Sequence, residues 1–250
     1  MTKDQGKPLI AIPTYNELGS LPSLVAEIFR HLPHCEILVI DDHSPDGTGR
    51  WCDEYAQSEP RLKCIHRQGK GGIGSALLAG LRYAEERGYR LVVTMDADFS
   101  HAPAELPRLV AAMDSGPVQA PVDVAIASRY TKGGGVEGWS LRRRLMSRLV
   151  NLVARWLLGL RVRDCSTGFR CYRTAAVKPL LNGDFFARGY AFEEEILFRL
   201  QRQDASFDEV PSRFVNRDRG GSKLNTAEAI KAGWVLLRLA VGRFWPCSTC

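Results

Sequence analysis

The chain has 250 residues, of which 45% are hydrophobic and 25% charged, and carries a formal net charge of +6. That balance supports a full apolar core, excludes a disordered, collagen-like or disulfide-stapled chain, and predicts one domain over residues 1–250. Residues 1–10 lack both the basic and the apolar regions of a secretory signal, and no run reaches the roughly 18 apolar residues that span a bilayer, so a cytosolic location is expected.

In chain order, short β-branched runs at 9–12, 36–40, 62–66, 91–95 and 122–127 alternate with helical patterns at 21–32, 48–57, 73–87 and 104–114. Continuous apolar runs, each followed by an amphipathic stretch, predict an α/β fold whose mostly parallel sheet is covered on both faces. From Ser140 the pattern changes. Leu141, Leu145, Leu149, Val153, Trp156 and Leu160 form an apolar stripe at helical spacing, with Arg144, Arg148 and Arg155 on another side. Two readings of this helix stand: its stripe packs into the core beneath a solvated arginine face, or it docks on a membrane surface. A second helical stretch, 226–244, is richer in Trp, Leu and Val than the end of a soluble domain needs.

The charge is local. Residues 141–180 hold ten Lys/Arg and one acidic residue, Asp164, leaving 24 basic against 27 acidic residues elsewhere. A basic excess confined to one segment points to an anionic partner there. The seven cysteines follow no framework spacing and are expected to be reduced. Cys247 and Cys250 form one CxxC, which reads as a frayed tail rather than a metal or redox pair.

Ligands of parallel sheets bind beyond the strands' C-terminal ends. There the chain places three polar clusters: Pro13-Thr14-Tyr15-Asn16-Glu17, Asp41-Asp42 and Asp96-Ala97-Asp98. Grouped carboxylates suit Mg²⁺ or Mn²⁺ completed by substrate phosphate oxygens. Gly69-Lys70-Gly71-Gly72-Ile73-Gly74 fits G-x-G-x-x-G, but it follows the third strand rather than the first, so tight turning and close backbone packing explain it better than a dinucleotide site.

Together these residues resemble the polyprenol-phosphate (dolichol-phosphate) mannosyltransferases, GT-A enzymes of glycosyltransferase family 2. The resemblance covers nearly the whole chain. It rests on the three clusters extended to Ile40-Asp41-Asp42-His43-Ser44-Pro45-Asp46-Gly47-Thr48 and Met95-Asp96-Ala97-Asp98-Phe99-Ser100-His101. Ser128-Arg129-Tyr130, Gly134-Gly135-Val136-Glu137-Gly138-Trp139 and Ser222-Lys223-Leu224 complete it. The departures are His43, where Gly is usual, and Cys165-Ser166, where small or apolar residues precede Thr167-Gly168-Phe169-Arg170. Neither falls on a position assigned to chemistry.

The resemblance implies a GT-A fold with interface helices near 140–160 and 226–245. It implies metal-dependent, inverting transfer of a hexose, mannose from GDP-mannose first, to a polyprenyl phosphate at the cytosolic membrane face. Pro13, Tyr15, Glu17, Ile40 and Asp42 would hold the nucleotide, and Asp41 would brace the turn. Asp96 and Ala97 would meet the ribose and diphosphate, and Asp98 with Ser100 would ligate Mg²⁺ or Mn²⁺. Arg217 and Lys223, flanking the Gly220-Gly221 hinge, would close over the diphosphate. Arg129, Arg143 and Ser147 would surround the acceptor phosphate. Arg143 and Ser147 are four residues apart and so share a helix face, although Arg143 also reads as one more solvated arginine. Glu193, Glu194 and Glu195 would orient groups near the sugar, with Glu195 best matching the acidic position.

Rival readings keep the machinery and change the donor to UDP-glucose or another nucleotide sugar, or change the acceptor to a sugar or protein hydroxyl. A dehydrogenase and a non-catalytic membrane- or nucleic-acid-binding protein are further rivals. Against nucleic acid, the arginines share their helix with a continuous apolar stripe, and no aromatic stacking platform is evident.

Overall fold

The computed structural model describes residues 6–114, 121–216 and 226–244. In chain order the elements are β1 (Leu9–Thr14), α1 (Leu21–His31), β2 (Glu36–Asp41), α2 (Thr48–Ser58), β3 (Leu62–His66), α3 (Ile73–Glu86) and β4 (Leu91–Thr94). They continue with α4 (Leu106–Ala111), β5 (Val124–Ser128), β6 (Gly135–Glu137), α5 (Leu141–Leu158), β7 (Arg170–Arg173) and α6 (Thr174–Val177). α7 (Phe192–Gln201), β8 (Phe207–Pro211), β9 (Arg213–Val215) and α8 (Thr226–Phe244) follow.

The main sheet has seven strands in the order β3-β2-β1-β4-β7-β5-β8. β1 pairs in parallel with β2 and β4, and β5 with β8, while β7 runs antiparallel between β4 and β5. A separate parallel pair, β6 with β9, sits beside it. Strand residues alternate between two fully buried layers. Leu9, Ala11, Leu38 and Ile40 face Ala76, Leu77 and Leu81 of α3. Ile10, Ile12, Ile37 and Val39 face Leu21, Leu24 and Ile28 of α1 and Leu106 and Leu109 of α4. This double burial is why the strands read as unbroken apolar runs.

The structure adds three details. The pattern at 104–114 is not one helix: a 3₁₀ turn at Pro103–Glu105 precedes a helix of six residues, with proline in the first turn of each. The sheet is mostly parallel, as expected, with β7 entering it reversed, a strand the sequence hides by placing Arg170 at a fully buried position. The third detail concerns α5. Its buried residues are Asn151, Ala154 and Leu158, whereas Leu141, Leu145, Leu149, Leu152 and Trp156 are 51–77% exposed. Core packing of the predicted stripe is therefore excluded, apart from Leu160 just beyond the helix, which is buried. On α8, Leu236, Leu239 and Ala240 are buried and Trp234, Leu237 and Val241 exposed. Among the described residues no helix is long and apolar enough to cross a membrane.

Candidate active site

The C-terminal ends of β1, β2 and β4 carry the three polar clusters side by side. Of the four non-glycine residues with positive φ among the described residues, three fall in these turns: Asn16 (+59°), His43 (+60°) and Phe99 (+59°). L-residues rarely adopt this conformation, so each turn holds strain at the edge where ligands of such sheets bind. It also explains the departure at His43: the position needs a left-handed backbone, which Gly takes at no steric cost.

Asp41 is tied into its turn, accepting from Thr14 Oγ1 at 3.0 Å and from the Ser44 N–H at 3.0 Å. Asp42 is reached by Arg67 Nη1 at 2.7 Å and by the Gly71 N–H at 3.3 Å. Burial pushes its pKa up, partly offset by Arg67. The first cluster is stitched to the second by the N–H groups of Asn16 and Glu17, which donate to Ser44 and Thr48. Lys70 Nζ lies 4.5 Å from the centre of the Tyr15 ring, which ties the glycine loop to the first cluster. The Ile40 side chain is fully buried and faces α3, so only its backbone can take part at the strand end.

The glycine loop serves packing. A Cβ on Gly72 would stand 2.4 Å from the Arg188 carbonyl oxygen and one on Gly74 2.5 Å from the Phe192 Cβ. The loop thus fits flush against residues 188–192, with the Gly74 N–H donating to the Arg188 carbonyl at 2.9 Å.

Beyond β4, the Ser100 N–H donates to Asp98 Oδ1 at 2.9 Å and orients that carboxylate. Ser100 itself is buried, so its contribution to Asp98 comes from the main chain. Among the described residues no group of three His, Cys, Asp or Glu side chains gathers. Asp96 and Asp98, half-buried carboxylates on adjacent turns, therefore offer a partial shell of hard oxygens. That suits Mg²⁺ or Mn²⁺ finished by substrate phosphate oxygens, not a dedicated protein cage.

A second group of residues stands beside this edge and is cationic. Arg129 Nε and Nη2 form a fork on Asp164 at 2.8 and 2.7 Å, and Nη2 also reaches Ser166 Oγ at 2.8 Å. Both partners are buried; the pair draws the Asp164 carboxyl below its ordinary range against the opposing cost of desolvation. The Trp139 ring lies between two guanidiniums, its centre 5.7 Å from Arg129 Cζ and 4.2 Å from Arg143 Cζ. Arg143 is anchored by Asn216 Oδ1 at 2.7 Å, and burial followed by repulsion from Arg129 lowers its pKa. Ser147 Oγ and Tyr130 Oη are 2.7 Å apart. Two cations close enough to repel, a hydroxyl pair and the Trp139 indole N–H, buried without a hydrogen-bond partner, make a donor set matched to an anion.

The two groups connect through aromatic contacts. His101 meets Phe169 at 4.9 Å and Phe214 at 5.2 Å, and Phe214 meets Trp139 at 5.3 Å between ring centres. Burial holds His101 neutral, its pKa pushed down to about 3. The glutamates at the start of α7 take other places than expected. Glu195 accepts from the N–H groups of Phe186 and Ala187 and from Arg199, so it braces a loop. Glu193 lies 2.7 Å from Arg170, whose N–H groups are aligned instead on carbonyls and Tyr172. Glu194 is buried, which raises its pKa to about 8.

Arg217 and Lys223, the Gly220-Gly221 hinge, Cys247 and Cys250 lie outside the described residues. Residues with clear roles that the sequence reading passed over are Asp164, Ser166 and Trp139. Asp164 carried a signal, being the lone carboxylate among ten cations. Ser166, counted as a neutral departure, bridges Arg129 and Asn151.

A mostly parallel sheet with carboxylates on its C-terminal edge and a facing cationic group defines a nucleotide-sugar transferase type of architecture. Residues 9–181 match Glycosyl transferase family 2, and the chain belongs to that family. It is 41% identical over 220 residues to polyprenol monophosphomannose synthase of Mycolicibacterium smegmatis, covering 88% of this chain and 81% of that protein. It is 37% identical over 245 residues to undecaprenyl-phosphate mannosyltransferase of Micrococcus luteus, covering 94% and 98%. The fold matches glucosyl-3-phosphoglycerate synthase of Mycobacterium tuberculosis, solved with Mn²⁺, UDP and glucosyl-3-phosphoglycerate, with a TM-score of 0.67 at 20% identity over 94% of this chain and 80% of that one. It also matches a mannosyltransferase of Pyrobaculum calidifontis, solved with GDP-Man and Mn²⁺, with a TM-score of 0.58 at 15% identity over 96% and 74%. The fold is GT-A-like.

Proposed function

We propose that this enzyme transfers mannose from GDP-mannose to a polyprenyl phosphate at a membrane surface on the cytosolic side, inverting the anomeric centre. The observation that carries the reading is that Arg129 and Arg143 both meet the Trp139 ring, while Ser147, one turn along the helix from Arg143, pairs with Tyr130, at the root of a helix whose apolar row is exposed. A phosphate bound there has its lipid tail beside Leu141, Leu145 and Leu149. The names of the two curated relatives, both polyprenyl-phosphate mannosyltransferases, support the same acceptor and sugar.

The donor lies along the C-terminal edge. Tyr15 and Glu17 flank the base, with Asp42 beneath it; Pro13 and the Ile40 backbone close the floor. Asp96 and Ala97 border the ribose and diphosphate. Asp98, with its carboxylate oriented by the Ser100 N–H, would hold Mg²⁺ or Mn²⁺, which would supply neutralisation of the charge developing on the departing diphosphate.

An acceptor phosphate oxygen attacks the anomeric carbon, its bond to that carbon forming as the bond to the β-phosphate oxygen breaks, and GDP leaves. A phosphate monoester has a second pKa of about 6, so near neutral pH the nucleophile needs no general base. Arg129 and Arg143 fix the attacking phosphate, and the Asp164 fork keeps Arg129 from shifting. Catalysis is thus positioning of two charged reactants, with each chain residue holding one of them.

The test is turnover of a panel of GDP- and UDP-sugars with and without polyprenyl phosphate and Mn²⁺. GDP-mannose consumption that requires both supports the reading. Preference for a UDP-sugar would move the donor to the rival reading, and turnover onto a sugar or protein hydroxyl would sink the acceptor.

A further inference from the structure

Beside the proposed acceptor residues, in a cleft that shares Arg129 and Tyr130 with them, α5 carries arginines to which the transfer reaction gives no role. The cleft, of ≈ 470 Å³, opens between α5 and the chain after β5, lined by Arg129, Arg148, Leu152, Arg155 and Arg163 among others. No carboxylate lines it. Arg129 is satisfied by Asp164, whereas Arg148, Arg155 and Arg163 form no ion pair among the described residues. Arg155 Nε is buried without a hydrogen-bond partner. The nearby Glu209 is committed to the main-chain N–H groups of Arg163 and Asp164, both at 2.9 Å, not to a guanidinium. Arg148 and Arg163 are exposed and Arg155 half-buried, so three guanidiniums without an acidic partner among the described residues converge on one concave surface, a donor set suited to an anion.

We propose that this cleft binds the phosphate of an anionic membrane phospholipid, separately from the acceptor phosphate at Arg143 and Ser147. Arg148, Leu152 and Arg155 are spaced i, i+4, i+7 and share one face of α5. Leu152 also belongs to the exposed row that continues through Leu149 and Trp156. A phospholipid meets both features at once: its phosphate reaches the guanidiniums and its acyl chains lie along Leu149, Leu152 and Trp156. A free anion uses the first alone. The bound headgroup would fix α5 in depth and rotation on the bilayer, presenting Arg143 and Ser147 to an acceptor phosphate. The proposal rests on the membrane reading above.

The experiment compares two double variants that remove equal charge from α5: Arg148→Gln with Arg155→Gln in the cleft, and Arg142→Gln with Arg144→Gln on the exposed side. Binding is measured by sedimentation with phosphatidylcholine vesicles with and without phosphatidylglycerol, at one salt concentration. The cleft pair is expected to lose about tenfold more affinity for anionic vesicles than the control pair. GDP-mannose binding should be unchanged in both. Arg163→Gln, on an exposed loop, gives a smaller loss of the same kind and guards against a folding defect at Arg155. Equal losses in the two pairs overturn the site in favour of a diffuse field. A raised KM for polyprenyl phosphate in detergent, with vesicle binding intact, overturns it in favour of the acceptor path. Thermal stabilisation by inorganic phosphate that the cleft pair abolishes, again with vesicle binding intact, overturns the lipid source. If the parent protein binds no anionic vesicle, the membrane reading itself fails, a result distinct from all of these.

Discussion

The proposed donor edge and the proposed acceptor group are built in different ways. At the donor edge the functional side chains sit in the last residues of a buried strand or within four residues past it, held by partners in the turn at the end of the same or an adjoining strand: Asp41 by Ser44, Asp42 by Arg67, Asp98 by the Ser100 N–H. In the acceptor group every holding contact crosses the chain. Arg129 needs Asp164, Arg143 needs Asn216, and Ser147 meets Tyr130. A strand end is positioned by the sheet; a cationic cluster must be positioned by individual ion pairs. The acceptor side is therefore the half where single substitutions damage the fold as well as the chemistry.

The largest expected effect tests that difference directly. Asp164→Ala leaves the Arg129 guanidinium buried and unpaired, and unfolding experiments should show a loss of about 3–5 kcal/mol. A loss within about 0.5 kcal/mol would mean that the fork does not hold the acceptor side together. At the donor edge, Asp98→Ala should lower kcat about a hundredfold or more while leaving the melting temperature nearly unchanged. Destabilisation comparable to that of Asp164→Ala would erase the contrast.

Arg143→Ala should raise KM for polyprenyl phosphate about tenfold or more, the scale of one charge-assisted hydrogen bond, with GDP-mannose affinity unchanged in a direct binding assay. Equal losses on both substrates would remove Arg143 from the acceptor side.

A smaller effect belongs to α7, which backs both halves. Glu194 is raised from 4.5 to about 8 by burial, with Arg170 opposing and Glu193 and Asp164 reinforcing the shift. Its stabilising contribution as a neutral acid is fully present below pH 4.5 and is lost as pH rises through about 8, at most about 1.4 kcal/mol per pH unit. Glu194→Gln should flatten that decline between pH 4.5 and about 8 in melting curves. His101, pushed down to about 3, acts oppositely, its contribution being lost as pH falls from 6.5, and is common to both proteins. The smallest effect is local to the donor edge: His43→Gly should stabilise by about 1 kcal/mol or less, because φ of +60° strains a side chain there.

Much of the donor edge was legible because its determinants are local. An apolar run followed at once by Asp-Asp or Asp-Ala-Asp places carboxylates at a strand end whatever surrounds them. Ile40 shows the limit: alternation along a strand sends its side chain into the core, and only the sheet decides which face that is. Arg170 shows another limit. An arginine at each end of a four-residue run gives no apolar strand signal, yet Arg170 is fully buried because Cys165, Tyr172 and Glu193 receive its guanidinium.

By itself the sequence determined the strand-helix alternation, the three polar clusters and the basic, amphipathic character of α5, since periodicity and residue type settle these within a few residues. Tertiary structure decided which way the α5 stripe faces, because a helix packs by the shape of all its neighbours, and Asn151 and Ala154 fit the core where Leu141 and Trp156 do not. It also decided that Asp164 belongs to Arg129 and that Arg148, Arg155 and Arg163 share one cleft. Charge composition gives the number of cations in a segment; only the fold sets the distances over which they pair, repel or wait for an anion.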